Sequence, residues 1–354
     1  MYIKKIKLEN FRNYDLQEIE FDKNVNIIYG DNAQGKTNIL EAIFVCSLGK
    51  SFRTNKEKEL IKKEKNYSKI EMISLKEDRE VRINLEIQEK KKFFINKIQT
   101  KKISDILGKN YIVLFTPEDI SILKNEPSKR RRFLNIMISQ LRPMYVHMLL
   151  EYNKLIEQRN MYLKQIKFDG KTEENLEIWD EQIIKIGTKI CEYRKEFIEK
   201  INKKIYNIHL RTTEEKEKIT IKYISNVENN YKEKMKNNRK SDIQKGYTQI
   251  GIHRDDFEIY INENLVSIYG SQGQKRTTII SLKLAEAEVI YEEIGERPVI
   301  LLDDFMSELD KKRIQGLFEN IKENQVIITC TDSFKISNSQ YKLYKVKEAN
   351  VETI

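Results

Sequence analysis

The chain has 354 residues, 65 Lys and Arg against 55 Asp and Glu, a formal charge of +10, 39% hydrophobic residues and only 3 cysteines. This length allows two or three structural units around a large buried core. It excludes a helical membrane protein, because no apolar run approaches the ~18 residues that a span needs, and a disulfide-built secreted domain, because Cys46, Cys191 and Cys330 are far apart.

A soluble protein of the reducing cytoplasm is expected, and the basic balance invites a polyanionic partner. Heavy use of lysine, asparagine and isoleucine can come from AT-rich coding alone, so the placement of charge says more than its total. Residues 51–170 hold 27 basic against 16 acidic residues, whereas residues 246–354 hold 13 against 18.

From Tyr2 to Leu8 apolar and basic residues alternate, Asn10-Phe11-Arg12-Asn13-Tyr14 makes a turn, and Leu16 to Phe21 alternates again. The pattern predicts a hairpin feeding the sheet that follows, with no leader peptide. Arg12 is a candidate nucleotide neighbour; a solvated turn arginine is the competing reading.

Val25 to Ile28 is an apolar, β-branched run leading into Gly30-Asp31-Asn32-Ala33-Gln34-Gly35-Lys36-Thr37, the G-x-x-x-x-G-K-[ST] pattern without substitution. After Asn38 an apolar helical pattern follows (Ile39, Leu40, Ile43, Phe44), so the strand, loop and helix that the motif requires are all present. The two glycines let backbone N–H groups turn inward around phosphates, and the helix adds its positive end. Lys36 is expected on the β and γ phosphates and Thr37 on magnesium, which makes ATP and Mg2+ the expected cofactors.

Residues 69–99 alternate repeatedly and predict an antiparallel meander whose polar face carries Lys90, Lys91, Lys92 and Lys97, either a solvated face or a nucleic-acid track. Tyr111 to Phe115 reads as a short buried strand ended by Thr116-Pro117-Glu118-Asp119. Next comes the densest basic cluster, Pro127-Ser128-Lys129-Arg130-Arg131-Arg132, at the opening of a long helical stretch. Cations at a helix N-terminus oppose the macrodipole, so Lys129, Arg130, Arg131 and Arg132 need anionic partners. Intramolecular carboxylates and DNA phosphates both qualify.

From Leu176 through Ile183, Ile190, Phe197 and Ile205 to Ile208, steps of three and four define one helix of about 50 Å. It should pack on the Phe133 to Ile166 region as a compact helical lobe, with Trp179, His147 and His209 as core residues. Residues 225–246 lack apolar period and predict a mobile loop. Strands are expected at Tyr247 to Ile252 and Phe257 to Ile261, around a charged turn, His253-Arg254-Asp255-Asp256.

Ser271-Gln272-Gly273-Gln274-Lys275 then opens a helical pattern, again a geometry suited to phosphate. Val299-Ile300-Leu301-Leu302-Asp303-Asp304 is an apolar strand ending in paired carboxylates. Asp303 is expected to hold magnesium, directly or through water, and Asp304 to orient or deprotonate the attacking water. Ser307-Glu308-Leu309-Asp310, a short helix and the strand Val326 to Thr329 complete the pattern.

With these motifs in this order, the whole chain resembles the RecF family, ABC-type ATPases related to SMC proteins. The match runs through NFRNY, GDNAQGKTN, FTPEDISILKNEPSKRRRFLN, GIHRDDF, SQGQKR, LLDDFMSELD and TCTD. The resemblance implies an α/β ATPase head with two β-sheets around the phosphate-loop helix and an inserted α-helical lobe. The expected division is a head part at 1–120, a lobe at 121–245 ending in the mobile loop, and the rest of the head at 246–354. It also implies that Ser271, Gly273 and Gln274 of one protomer face the γ phosphate held by another, with Asp310 at the contact. The expected activity is ATP-dependent dimerisation on duplex or gapped DNA, slow DNA-stimulated hydrolysis, and cooperation with RecO and RecR in loading RecA. The shorter Asp304 stands where many ABC ATPases carry Glu, and the glutamine loop and switch histidine have no clear counterparts. A phosphotransferase acting on a small acceptor and a different ABC-type subunit are the alternatives.

Overall fold

A computed structural model describes residues 1–77, 79–124, 126–213, 216–227, 230–305, 309–333 and 340–354, without the side chains of residues 311 and 312. The chain begins with a hairpin, β1 (Tyr2–Phe11) and β2 (Tyr14–Glu20), followed by β3 (Val25–Tyr29) and α1 (Lys36–Leu48). A meander of β4 (Ser68–Lys76), β5 (Arg79–Ile87), β6 (Lys91–Ile95) and β7 (Ile98–Gln99) precedes β8 (Ile112–Phe115). Then come α2 (Pro127–Leu141), α3 (Pro143–Asp169), α4 (Leu176–Thr212), β9 (Ile219–Ile224), α5 (Tyr231–Lys245), β10 (Asp256–Ile261), β11 (Asn264–Leu265) and α6 (Val266–Tyr269). The last elements are α7 (Gln272–Ile294), β12 (Val299–Asp303), α8 (Lys311–Ile321), β13 (Val326–Cys330), β14 (Tyr341–Lys347) and β15 (Asn350–Thr353).

Two compact units result. The first joins Met1–Ile120, Ile208–Glu215 and Gln272–Ile354; the second joins Ser121–Asn207 and Lys216–Ser271. The first contains two six-stranded sheets, one ordered β2-β1-β4-β5-β6-β7 and one ordered β15-β14-β3-β13-β12-β8. Helix α1 touches β4 and β5 of the one and β12 and β13 of the other. Almost every residue from Ile39 to Leu48 is buried, as expected of a helix that is apolar all round and enclosed on every side. Each fully buried isoleucine or leucine there contributes about 1.5–3 kcal/mol.

The first hairpin differs from its expected place. β1 pairs with β4, so the hairpin belongs to the antiparallel sheet and not to that of β3. β3 runs parallel to β13 and β14 and is buried along Val25–Ile28, the pattern of a strand covered on both faces.

In the second unit α3 and α4 run antiparallel, with Tyr145 against Tyr193 and Tyr162 against Trp179. This is the lobe that the spacing of α4 predicts, except that Trp179 and His147, expected in the core, are only half-buried. Two expectations are corrected. Residues 231–245 form α5 and not a loop. That helix buries only Tyr231, Met235 and Asp242, and ion pairs hold it: Asp242 accepts from Arg159, and Arg239 donates to Asp180. Residues 247–251 do not form a strand, and β9, β10 and β11 make a separate sheet within the lobe unit, so the head resumes at Gln272 and not at 246. β10 stays with the lobe because Phe257 packs its ring on Phe133 of α2.

Candidate functional site

The phosphate loop lies between β3 and α1. Gly30 has φ 153° and Gly35 φ 112°. A Cβ on Gly30 would lie 2.3 Å from the Val346 carbonyl oxygen, and one on Gly35 would lie 2.6 Å from the Asn13 amide. Only glycine fits either place. Ala33 also has a positive φ, 64°, without the excuse of a missing Cβ. Asp31, Asn32 and Ala33 are exposed at the rim, with Gln34 partly covered, whereas Gly35 and Lys36 are buried at the base. The Lys36 ammonium donates to the Gly30 and Asp31 carbonyls at 2.6 and 2.8 Å, so it is already folded over the cradle that a triphosphate would fill.

Thr37 opens α1, and its hydroxyl donates to Oδ1 of Asp303 at 2.8 Å. These residues are 266 positions apart in sequence. The parallel pairing of β12 with β13 puts Thr329 beside Asp303, and its hydroxyl donates to the same carboxylate oxygen at 2.8 Å. Burial pushes the Asp303 carboxyl above its ordinary value, and the two hydroxyl donors work against that shift. Asp304 follows with φ 47°, a left-handed conformation for a non-glycine residue, and its N–H donates to Thr329 Oγ1 at 3.0 Å. Strain of this kind costs about 1–3 kcal/mol and collects at functional sites.

A second layer surrounds the loop. Asn13 donates to the Gln34 carbonyl and Tyr14 to the Gly35 carbonyl at 3.0 and 3.1 Å. Arg12 forks onto the buried Glu41 carboxylate at 2.8 and 2.6 Å and donates to the Glu59 carbonyl. It therefore lies in the loop's supporting layer, held through α1, neither solvated nor extended toward the cradle. Asn38 donates to Asn13 and accepts from Arg53, both at 2.7 Å. Spacing gave no sign of Glu41, Ser51, Arg53 or Thr329. The register of β12 against β13 would have revealed Thr329, had the parallel pairing been known.

Ser271 immediately precedes α7, and Gly273 and Gln274 lie in its first turn. Asp310 caps α8, accepting from the Arg313 N–H at 2.9 Å and pairing with its guanidinium. Arg313 Nε donates to Thr277 of α7 at 2.9 Å, and Thr277 donates to the Gly273 carbonyl at 3.0 Å. A hydrogen-bonded chain thus runs from Asp310 to Gly273. Ser307 and Glu308 lie outside the described residues.

The basic cluster separates into two kinds of residue. Arg130 is buried, forks onto Asp256 at 2.6 and 2.7 Å and donates to the Ile122 and Lys124 carbonyls. Arg131 donates to the Asp255 carbonyl at 2.9 Å. For Arg130 the anionic partner is an intramolecular carboxylate, which corrects its expected DNA contact. Lys129 and Arg132 are exposed. The charged turn at 253–256 is likewise a clasp and not a solvated tip: Asp255 accepts from Arg194, Tyr223 and the Asn226 N–H.

The donor set suits the cofactors named above. A hydroxyl and a carboxylate that meet at a phosphate cradle are hard oxygen ligands of the sort magnesium takes alongside phosphate and water. The three cysteines are buried and free. Among the described residues no cluster of three His, Cys, Asp or Glu could hold a metal without phosphate, and no helix is long and apolar enough to cross a membrane.

A family model described as RecF/RecN/SMC N terminal domain matches residues 2–115. The DNA replication and repair protein RecF of Clostridium botulinum (strain Okra / Type B1) is 42% identical, with 100% of each chain covered. The RecF protein of Acetivibrio thermocellus is 43% identical, with 96% of each covered. Among solved structures, the recombination mediator protein RecF-ATPrS in the RecFOR pathway superposes with TM-score 0.93 at 38% identity, covering 100% of this chain and 98% of that one. The Smc head domain of Pyrococcus furiosus, at TM-score 0.59 and 20% identity, shares the fold.

Proposed function

The chain belongs to the RecF family of DNA replication and repair proteins, and on that basis we propose that it is an ATP-dependent DNA-binding switch of recombinational repair in the cytoplasm. Two copies close on ATP over duplex or gapped DNA, slow hydrolysis reopens them, and RecO and RecR are the partners with which the switch helps load RecA. The observation that carries this reading is the 2.8 Å hydrogen bond between Thr37 and Asp303. Two distant parts of the chain meet at one hard-oxygen point beside a phosphate cradle.

In this reading the backbone from Gly30 to Gly35 and the Lys36 ammonium bind the β and γ phosphates. Thr37 and Asp303 hold magnesium, which when bound neutralises charge on the phosphate oxygens. Asp304 orients the attacking water, and a carboxylate one methylene shorter than Glu makes turnover slow. Ser271, Gly273 and Gln274 complete the partner's site, so ATP binds the dimer better than the monomer, and that difference is all a switch needs. Lys129 and Arg132 are the DNA contacts of the cluster; Arg130 serves the lobe. The RecFOR pathway named for the structural relative supports RecO and RecR. No observation favours the phosphotransferase or another ABC-type subunit.

Sedimentation of the protein with ATP, with ADP and as Lys36→Met, each with and without duplex DNA, tests the proposal. Dimer is expected only for the wild type with ATP. A wild type that stays monomeric at high concentration in saturating ATP, magnesium and DNA overturns it.

A further inference from the structure

Beyond the end of α1 the first unit has a cavity of about 480 Å3 whose wall carries Lys50, Lys91, Lys92, Lys101 and Lys102 against a single carboxylate, Glu57. Glu57 is taken by Lys91 at 3.2 Å. Lys91 also donates to the Gly49 carbonyl at 3.4 Å, which offsets the negative end of the α1 dipole. Lys50, Lys92, Lys101 and Lys102 are exposed, and no described carboxylate lies within ion-pair distance of their ammonium groups; the Asp105 carboxylate takes only the Lys102 backbone N–H, at 3.1 Å. Ammonium groups on one wall repel one another, and a concave surface focuses their field. An anion of high charge density is the occupant that relieves this.

We propose that this cavity holds the phosphodiester backbone of duplex DNA, and that its occupancy is passed to the phosphate loop through Ser51 and Arg53. The inference rests on the DNA-binding reading above. Backbone and not bases is the choice because the one aromatic ring of the lining, Phe93, is itself buried and offers no platform for stacking. Lysine is a point charge suited to phosphate without sequence readout.

The link to ATP is geometric. The segment that lines the cavity from Gly49 to Asn55 also grips the far side of the nucleotide site. Ser51 Oγ donates to Glu41, which in turn holds Arg12. Arg53 donates to Asn38 at 2.7 Å and lies 3.5 Å from Glu41. Ser51 Oγ also accepts the N–H groups of Arg53 and Thr54 at 2.9 and 3.1 Å, so the segment is tied into one turn. Gly49 caps α1 at φ 73° and packs so closely on Ile103 that a Cβ there would lie 2.4 Å from it.

The test is the full-length triple variant Lys92→Gln, Lys101→Gln, Lys102→Gln, with duplex binding followed across a salt series in ATP. Each phosphate contact contributes about 0.9 to the logarithmic salt slope, so the slope should become shallower by about 2–3. The effect of DNA on ATP turnover should be lost, with turnover in the absence of DNA unchanged. A wild type that binds duplex alongside a variant with the same slope and affinity overturns the proposal and leaves the DNA reading intact. A wild type that binds no duplex removes both. Inorganic tripolyphosphate is the second arm: if it binds the wild type and not the variant while the DNA slope stays the same, the cavity serves a free polyphosphate and the proposal is wrong.

Discussion

Thr329 donates its hydroxyl to the Asp303 carboxylate at 2.8 Å. Because Thr329 Oγ1 also accepts the Asp304 backbone N–H at 3.0 Å, one side chain holds the Asp303 carboxylate and the Asp304 main chain at the end of β12. Thr329→Val keeps the shape and removes both bonds. The expected result is a 10–100-fold loss of ATP turnover together with a raised magnesium requirement, and a stability cost of about 1–3 kcal/mol. Magnesium titration of turnover against thermal melting separates the two effects, and unchanged turnover with an altered melt would make Thr329 merely structural.

Three charged side chains meet on α7 and the turn after β8, Lys283 and Glu286 buried and Asp119 partly so. Lys283 lies 3.5 Å from Asp119 and 3.7 Å from Glu286, and Glu286 Oε2 has no hydrogen-bond partner. Asp119 also accepts the Thr116 N–H at 2.7 Å. Burial pushes the Glu286 carboxyl up from 4.5 to about 7. A raised folded-state value means that the folded form holds the proton more tightly. The stabilisation is therefore complete below about pH 4.5 and is lost as pH rises through about 7. Relative to Glu286→Gln, the wild type should lose about 1–3 kcal/mol of stability across that window. Parallel melting curves for the two proteins from pH 5 to 9 would contradict this.

Much of the head is legible in the sequence because its signals are local. The loop pattern with its flanking strand and helix, and the strand ending in Asp303-Asp304, each need a few neighbouring residues. What escapes is tertiary. The β1–β2 hairpin joins the meander's sheet and not that of β3, because strand pairing depends on which faces are covered and not on sequence order. Thr329 escapes because its role exists only through the register of two strands 26 residues apart. α5 escapes because periodicity reads apolar stripes, and its sequence, Tyr231 to Lys245, is held by charges.

Arg130 and Lys129 are neighbours in sequence with opposite expected phenotypes. The Arg130 side chain is 10% exposed and forked onto Asp256, so Arg130→Ala strips a partly buried carboxylate of its partner. A loss of about 2–4 kcal/mol is expected, somewhat below the 3–5 of a fully buried pair, and chemical denaturation measures it. Lys129→Gln should leave the denaturation midpoint alone and reduce the salt slope of DNA binding by about 1. Equal stability loss in both variants would remove the distinction between clasp and contact.

The last prediction concerns why a lysine- and asparagine-rich segment is helical. Arg159, 0% exposed, donates to Asp180 at 2.6 Å, to Asp242 at 2.7 Å and to Thr248 at 2.8 Å. It joins α3, α4 and α5 through buried charge, and its remaining Nη2 has no partner. Arg159→Met leaves the buried Asp242 without its cation and Asp180 with Arg239 alone, and should cost about 3–5 kcal/mol. Because α5 has little apolar burial of its own, it should come loose first, and trypsin should cut at its lysines before the rest of the lobe. Replacing Asp242 by leucine in the same variant removes the stranded charge, so part of the stability should return. If the double variant is no more stable than Arg159→Met, uncompensated charge is not what destabilises the single variant, and the side-chain volume of Arg159 matters more than its charge.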